Sequence, residues 1–171
     1  MTTIEHLSHL ENHSITEFVR SHKWHGRVLD YGCGRQPYRS IVEKTAHEYV
    51  PYDRARNGGG AVGDYGPEDP LPPQWYDGIL CTQVVEYVPD VYRLLRRMRE
   101  SLKYGGALIL TYPTVWPELP YDLHRFTREG MDRLLVAAGF VVEKHECRAV
   151  VPDVDVRLPL GYGAVARAEY P

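Results

Sequence analysis

Apolar and polar positions change period several times along the chain. Arg27-Val28-Leu29-Asp30-Tyr31 is a short apolar run ending in an acid. Gly32 and Gly34 follow, and Tyr38 to Lys44 returns to a helix-compatible pattern. This predicts a strand, a tight loop and the start of a helix. His47 to Asp53 predicts a second strand that also ends in an acid, and Ala61 to Tyr65 a short third one. Between them, Arg54 to Gly60 is too short and glycine-rich for a helix. Four prolines at 67, 70, 72 and 73 predict a loop. Tyr76-Asp77 opens a central apolar strand. Val91, Leu94, Leu95, Met98 and Leu102 then recur at helical spacing with arginines between them, predicting an amphipathic helix that ends at a Lys103 to Gly106 glycine turn. Ala107 to Pro113 predicts a buried strand. A proline-punctuated loop leads to a helix capped by Thr127, with Met131, Leu134, Leu135 and Ala138 on its apolar face. Gly139 to Cys147 and Tyr162 to Ala168 predict the last two strands. Upstream, apolar positions from Leu7 to Trp24 are partly helical in spacing, and Ser14 is placed to cap a helix running to about Ser21.

Strands that alternate with helical segments predict an α/β domain. At 171 residues, with 43% hydrophobic positions, the chain has room for one core and none for a second catalytic domain. The net charge of −3 supplies no basic excess for a phosphate backbone, so no nucleic-acid partner is expected. Arg93, Arg96, Arg97 and Arg99 read as a solvated helix face. No apolar run is long enough to span a bilayer, and Met1 to Leu10 is polar and His-rich, so a cytoplasmic protein is expected. Cys33, Cys81 and Cys147 are isolated and odd in number, which argues against a disulfide framework and a zinc site. No metal is expected.

The chemistry concentrates at the first glycine loop. Glycines let the backbone curl and let a ligand approach without Cβ interference, and the N–H groups of a following helix favour a polar or anionic ligand. A dinucleotide fingerprint requires a third glycine three residues on. Pro37 stands there. The Asp30 carboxylate, two residues before Gly32, suits a cationic, amine-bearing ligand. Asp53, nineteen positions beyond Gly34, is where nucleotide folds place the acid that takes ribose hydroxyls.

Val28-Leu29-Asp30-Tyr31-Gly32-Cys33-Gly34 resembles the first motif of the class I S-adenosylmethionine-dependent methyltransferases. Tyr76-Asp77 followed by Glu86-Tyr87-Val88-Pro89-Asp90 resembles their fourth motif, in which many relatives have His where Tyr87 stands. Leu102-Lys103-Tyr104-Gly105-Gly106 is similar to their Leu-Lys-Pro-Gly-Gly segment. Pro120-Tyr121-Asp122-Leu123-His124-Arg125-Phe126-Thr127 resembles a segment of a small-molecule branch. The resemblance covers residues 26–171 and implies a Rossmann-like sheet, mostly parallel with an antiparallel last strand, helices on both faces and shortened crossovers, with residues 1–25 as an N-terminal helical cap. It implies S-adenosyl-L-methionine as cofactor. Carried over residue by residue, it implies that Asp30, Tyr31, Gly32, Cys33, Gly34, Asp53, Arg54, Asp64, Tyr65, Thr82 and Gln83 bind it, with Asp53 on the ribose and Asp64 and the next backbone N–H on the adenine. Cys33 reads as a small residue that fits the loop.

On the acceptor side, Tyr112, Trp116 and Tyr121 suggest an apolar or ring-bearing small molecule, such as a sugar or natural-product intermediate methylated on a hydroxyl. His124 is the candidate general base, with Asp122 or Glu86 to orient it and Tyr121 beside it. The alternative is that His124 packs or caps locally. Arg125 reads as structural, paired with Asp122 or a backbone carbonyl. His9, His13 and His22 on the N-terminal segment read as surface residues, although a helix over the site could bring one of them in. Two other functions stay open: an NAD-dependent oxidoreductase, and a nucleoside-binding scaffold subunit without activity.

Overall fold

The computed structural model describes residues 3–53, 71–117, 122–150 and 159–169. Six strands form one sheet: β1 (Arg27–Tyr31), β2 (Glu48–Tyr52), β3 (Tyr76–Thr82), β4 (Leu102–Pro113), β5 (Phe140–Val150) and β6 (Pro159–Ala168). Their order is β2-β1-β3-β4-β6-β5. β1 pairs in parallel with β2 and β3, and β3 with β4, whereas β6 runs antiparallel to both β4 and β5. The chain therefore lays strands outward in one direction from β1, returns, and builds in the other. The crevice between β1 and β3, at the strands' carboxyl ends, is the point where such sheets bind ligands.

Successive side chains on each strand point to opposite faces, and both faces are buried. Leu29, Tyr31, Ile79, Cys81, Leu108 and Leu110 pack with Val91, Leu94, Leu95 and Met98 of α3 (Val91–Ser101) and with Met131 and Leu135 of α4 (Arg128–Ala137). Val28, Leu80, Ala107 and Ile109 pack with Ile15, Phe18 and Val19 of α1 (Thr3–Arg20), with Trp24, and with Val42 of α2 (Arg39–Val42). The helix spacing of Val91, Leu94, Leu95 and Met98 is thus a core stripe, and each fully buried side chain of this kind contributes roughly 1.5–3 kcal/mol. Asp90 caps α3 by accepting from Arg93 N at 2.9 Å, and Thr127 caps α4 by accepting from Gly130 N at 3.0 Å.

Three boundaries differ from the sequence reading. α1 begins at Thr3, so Ser14 lies inside it and caps nothing. Its hydroxyl donates to the Glu11 carbonyl at 2.8 Å, the back-bonding available to a mid-helix serine. α1 is also a wall of the core, with Phe18 so close to β6 that a Cβ on Gly163 would lie 2.6 Å from its ring. α3 ends at Ser101, before the glycine pair, because Leu102 is already buried in the sheet opposite Tyr76. Gln74 N and Trp75 N take up the Glu100 and Ser101 carbonyls at 2.9 Å, which closes the helix end without a glycine cap. α2 is a single turn, too short for the helix-terminus effect expected after the glycine loop. The expected third strand, Ala61 to Tyr65, and the links at 54–70 and 151–158 lie outside the described residues.

Candidate active site

β1 delivers Asp30 to the carboxyl edge of the sheet, where it is 1% exposed. One carboxylate oxygen accepts from Tyr49 OH at 2.5 Å, while the other, Oδ1, has no partner. Burial pushes the Asp30 carboxyl up to about 6, against the Tyr49 hydrogen bond and with help from the negative charge of Asp53. The loop that follows is pinned to β2: Gly32 N and Cys33 N both donate to Tyr52 O, at 2.8 and 3.0 Å. Tyr31 and Tyr52, partners in register, stack their rings 4.9 Å apart. Cys33 is buried, and its thiol is pushed up to about 11 by that burial and by the charges of Asp30 and Asp53. It fills space and carries no thiolate at neutral pH.

The two loop glycines have different reasons. Gly32 has φ +78, and a Cβ there would sit 2.2 Å from Val84 Cγ2. Its lack of a side chain lets the exit of β3 press against the loop. Gly34 has φ +50, and the nearest atom to its Cβ position is Asp53 Oδ2 at 3.9 Å. Asp53 in turn accepts from Gly34 N at 2.5 Å. The open side of the loop is therefore at Gly34 beside Asp53. Thr82 ends β3, and Gln83, held at φ +54, donates from its backbone N–H to Thr111 O at 3.0 Å and from Nε2 to Thr111 Oγ1 at 3.2 Å. Arg54, Asp64 and Tyr65 lie outside the described residues.

From Gln83 onward the chain turns through a short 3-10 segment, Val85–Tyr87, and builds the second half of the site. Gln83, Glu86 and Tyr87 line a cleft of about 170 Å³ with Glu11, Asn12 and Ile15 of α1, Pro113 and Trp116 after β4, and Asp122 and Arg125. The 122–126 loop is laid along this turn, because Leu123 N and His124 N both donate to Glu86 O, at 2.8 and 3.2 Å. His124 Nε2 lies 3.0 Å from Val88 O. A carbonyl only accepts, so Nε2 carries the proton and Nδ1 the lone pair in the neutral ring. Asp122 pairs with Arg125, which also donates to His124 O at 3.1 Å. The imidazole is thus anchored by a backbone carbonyl, and the orienting contact expected from Asp122 or Glu86 is not formed. Tyr121 lies outside the described residues.

Tyr112, expected on the acceptor side, faces the core. Its OH and His145 Nε2 are 2.8 Å apart, and His145 Nδ1 lies 2.5 Å from Asp132 Oδ1. A carboxylate on Nδ1 fixes the proton there, so Tyr112 donates to Nε2. On α1 the residues that reach the cleft are Glu11, Asn12 and Ile15, and not the histidines. His9 and His13 are exposed, and His22 packs edge-on against Trp24, with burial lowering it to about 4.

Glu11 and Arg148 are site residues that motif reading missed. Arg148 on β5 donates to Glu11 Oε1 at 2.6 Å, Ser14 Oγ at 3.0 Å, Tyr162 O at 2.9 Å and Tyr112 O at 3.2 Å. Glu86 is 1% exposed and its Oε2 has no partner. Burial pushes its carboxyl up to about 7, opposed by its own backbone N–H. Among the described residues no group of three or more His, Cys, Asp or Glu is placed to hold a metal.

A family model described as a methyltransferase domain matches residues 4–145. No curated protein matches the chain. Among solved structures, an S-adenosylmethionine-dependent methyltransferase from Mesorhizobium loti aligns with a TM-score of 0.73 at 19% identity, covering 92% of this chain and 99% of that one. A chain from the complex between the Haloferax volcanii Trm112 methyltransferase activator and a methyltransferase aligns at 0.74 and 13%, covering 97% and 95%. DhpI, in complex with SAH, aligns at 0.72 and 16%, covering 94% and 85%. At such identities the structural likeness speaks for the Rossmann-like fold alone, and the family match carries the rest. The chain belongs to the methyltransferase-domain family and is a methyltransferase.

Proposed function

We propose that this methyltransferase takes its methyl group from S-adenosyl-L-methionine and passes it to a small-molecule acceptor in the cleft between α1, the Gln83–Tyr87 turn and the Asp122–Arg125 loop. Gln83 carries the reading. It follows the strand whose exit packs against the glycine loop through Val84, and it also lines the cleft, so one segment joins a donor site to an acceptor site.

The residues present fit the cofactor. Asp30 offers a buried oxygen that lacks a donor, matching an amine. Asp53 stands beside the open face of Gly34, matching ribose hydroxyls. With them we assign Tyr31, Gly32, Cys33, Thr82 and Gln83 to the cofactor, together with Arg54, Asp64 and Tyr65, which lie outside the described residues. When bound, S-adenosylmethionine supplies a methyl group already activated by its sulfonium, so the protein aligns the acceptor and takes its proton. Two groups beside the cleft can accept that proton: His124 through Nδ1, and Glu86. Asp122 holds Arg125 in place, and Tyr121, its neighbour in sequence, lies outside the described residues. The small size of the cleft and its Trp116 and Ile15 walls support a small, ring-bearing acceptor, here taken to include hydroxylated natural-product intermediates.

Isothermal titration with S-adenosylmethionine, S-adenosylhomocysteine and NAD tests the donor. Tighter binding of NAD would favour an oxidoreductase, and binding of the nucleoside without turnover a scaffold. No helix of the described residues is long and apolar enough to cross a membrane.

A further inference from the structure

The charged and buried groups of the cleft are one-sided in what they can bond. Its cations are engaged: Arg125 by Asp122 and the His124 carbonyl, and Arg148, behind the α1 wall, by Glu11, Ser14 and two carbonyls. The buried side-chain atoms of its lining that lack a hydrogen-bond partner are both acceptors, Glu11 Oε2 and Glu86 Oε2. Charge divides the same way. Asp122 is offset by Arg125 and Glu11 by Arg148, whereas among the described residues Glu86 forms no ion pair. A ligand with carboxylate or phosphate groups would offer neither oxygen a donor and would meet the Glu86 carboxylate as a like charge, while one with several N–H groups would satisfy both oxygens.

Resting on the donor reading above, we infer that the methyl acceptor is an amine whose ammonium group binds Glu86 beside Glu11, and that Glu86 takes the proton that frees the nitrogen to react. In that step one N–H bond of the ammonium breaks and one O–H bond forms on the Glu86 carboxyl. The electron pair stays on nitrogen and is then available to a methyl carbon. The groups that face Glu86 are the Cys81 thiol from β3, the Tyr87 phenol, Asp122 and Arg125 from the loop and Arg148 from β5, with Glu11 across the cleft on α1. Burial sets the Glu86 carboxyl near neutrality, where a base both holds and releases a proton. Ile15, Pro113 and Trp116 give the cleft an apolar side, and a cavity of about 150 Å³ is enough for a benzene ring.

The test is calorimetric binding of a matched pair, tyramine and 4-hydroxyphenylacetate, to the full chain loaded with S-adenosylhomocysteine. The two share a phenol and differ in carrying an ammonium or a carboxylate. Tyramine is expected to bind at least about tenfold tighter, with the preference lost in Glu86→Gln. In the unsubstituted protein its affinity is expected to fall as pH is lowered through about 7, because the protonated carboxyl no longer attracts the ammonium. Tyramine that fails to bind, a preference for the carboxylate, or a preference that survives in Glu86→Gln overturns the proposal. If Glu86→Gln does not fold, a flat tyramine affinity between about pH 8 and 6 overturns it instead. Failure of S-adenosylhomocysteine to bind counts against the donor reading alone, and the matched pair is then compared on the unloaded chain with the same criteria.

Discussion

Arg148 on β5 reaches Glu11 on α1 with Nη2 2.6 Å from Oε1, across 137 positions of sequence. The side chains are 1% and 7% exposed, so the pair is formed in the core and not on the surface. It fixes the helix that carries Glu11, Asn12 and Ile15 into the cleft. Removing one member of such a pair leaves the other charged and buried, at a cost of about 3–5 kcal/mol. Arg148→Met is therefore expected to lower the unfolding free energy by about that much, and Arg148→Met with Glu11→Leu to recover part of it. Urea titrations of the singles and the double measure the coupling. Costs that simply add would show the two residues to be independent.

The glycines of the loop separate by experiment. At Gly32 a methyl group collides with Val84 Cγ2 at a φ of +78, so Gly32→Ala is expected to destabilise the fold itself by about 1–3 kcal/mol. Val84→Ala in the same chain should return part of the loss. At Gly34 the Cβ position is open toward Asp53, so Gly34→Ala keeps most of its stability apart from the left-handed strain of about 1–2 kcal/mol. Its larger effect falls on S-adenosylmethionine affinity. Thermal unfolding and titration calorimetry on the two variants test the division, and equal losses in both properties would refute it.

That division shows where the sequence is readable and where it is not. Local chemistry is readable: the acid that ends β1, the glycine pair, the Thr127 cap and the Val91 to Met98 stripe all follow from residue type and spacing. Which glycine serves the protein and which faces a ligand depends on Val84, fifty-two positions away from Gly32 in sequence. Ser14 has the residue type of a cap, yet α1 continues through it because Glu11, Ile15, Phe18 and Val19 form one buried stripe. Arg148 carries no motif at all. It is recognisable only once β5, β6 and α1 are assembled around it. Tyr112 has the composition of a pocket residue and the register of a core residue, and the strand's alternation decides the matter.

Asp30 gives a pH dependence of defined sign. Its folded carboxyl lies near 6 against an ordinary value of 3.8, so the folded state holds this proton more tightly than the unfolded chain. The stability the group contributes is fully present below about 4 and is lost as pH rises through about 6. Two units correspond to about 3 kcal/mol. Asp30→Asn is expected to make the free protein more stable than the unsubstituted chain at pH 7 and to shrink the gap near pH 4. The same variant should bind S-adenosylmethionine more weakly, since the cofactor's amine loses its carboxylate. In the unsubstituted protein, affinity should weaken below about pH 6, because binding must then expel the proton. A variant that is both less stable and equally tight in binding would remove Asp30 from the site.

His124 tests which group accepts the acceptor's proton. Its Nε2 is committed to Val88 O and its backbone N–H to Glu86 O, so the residue clasps the turn on which Glu86 sits. If Glu86 is the base, His124→Ala is expected to cost about 1 kcal/mol of stability for the lost hydrogen bond. S-adenosylhomocysteine affinity should be unchanged, and methyl transfer to tyramine should fall by less than about tenfold with the acidic limb of its pH profile still present. A base acting through Nδ1 predicts a different result. Methyl transfer would then fall by about 10²- to 10⁴-fold and the acidic limb would vanish with the imidazole. Measuring kcat and KM across pH for His124→Ala beside Glu86→Gln assigns the limb to one residue, because only the true base takes it away. The thermal transition of each variant, recorded alongside, keeps a folding defect from being read as a catalytic one.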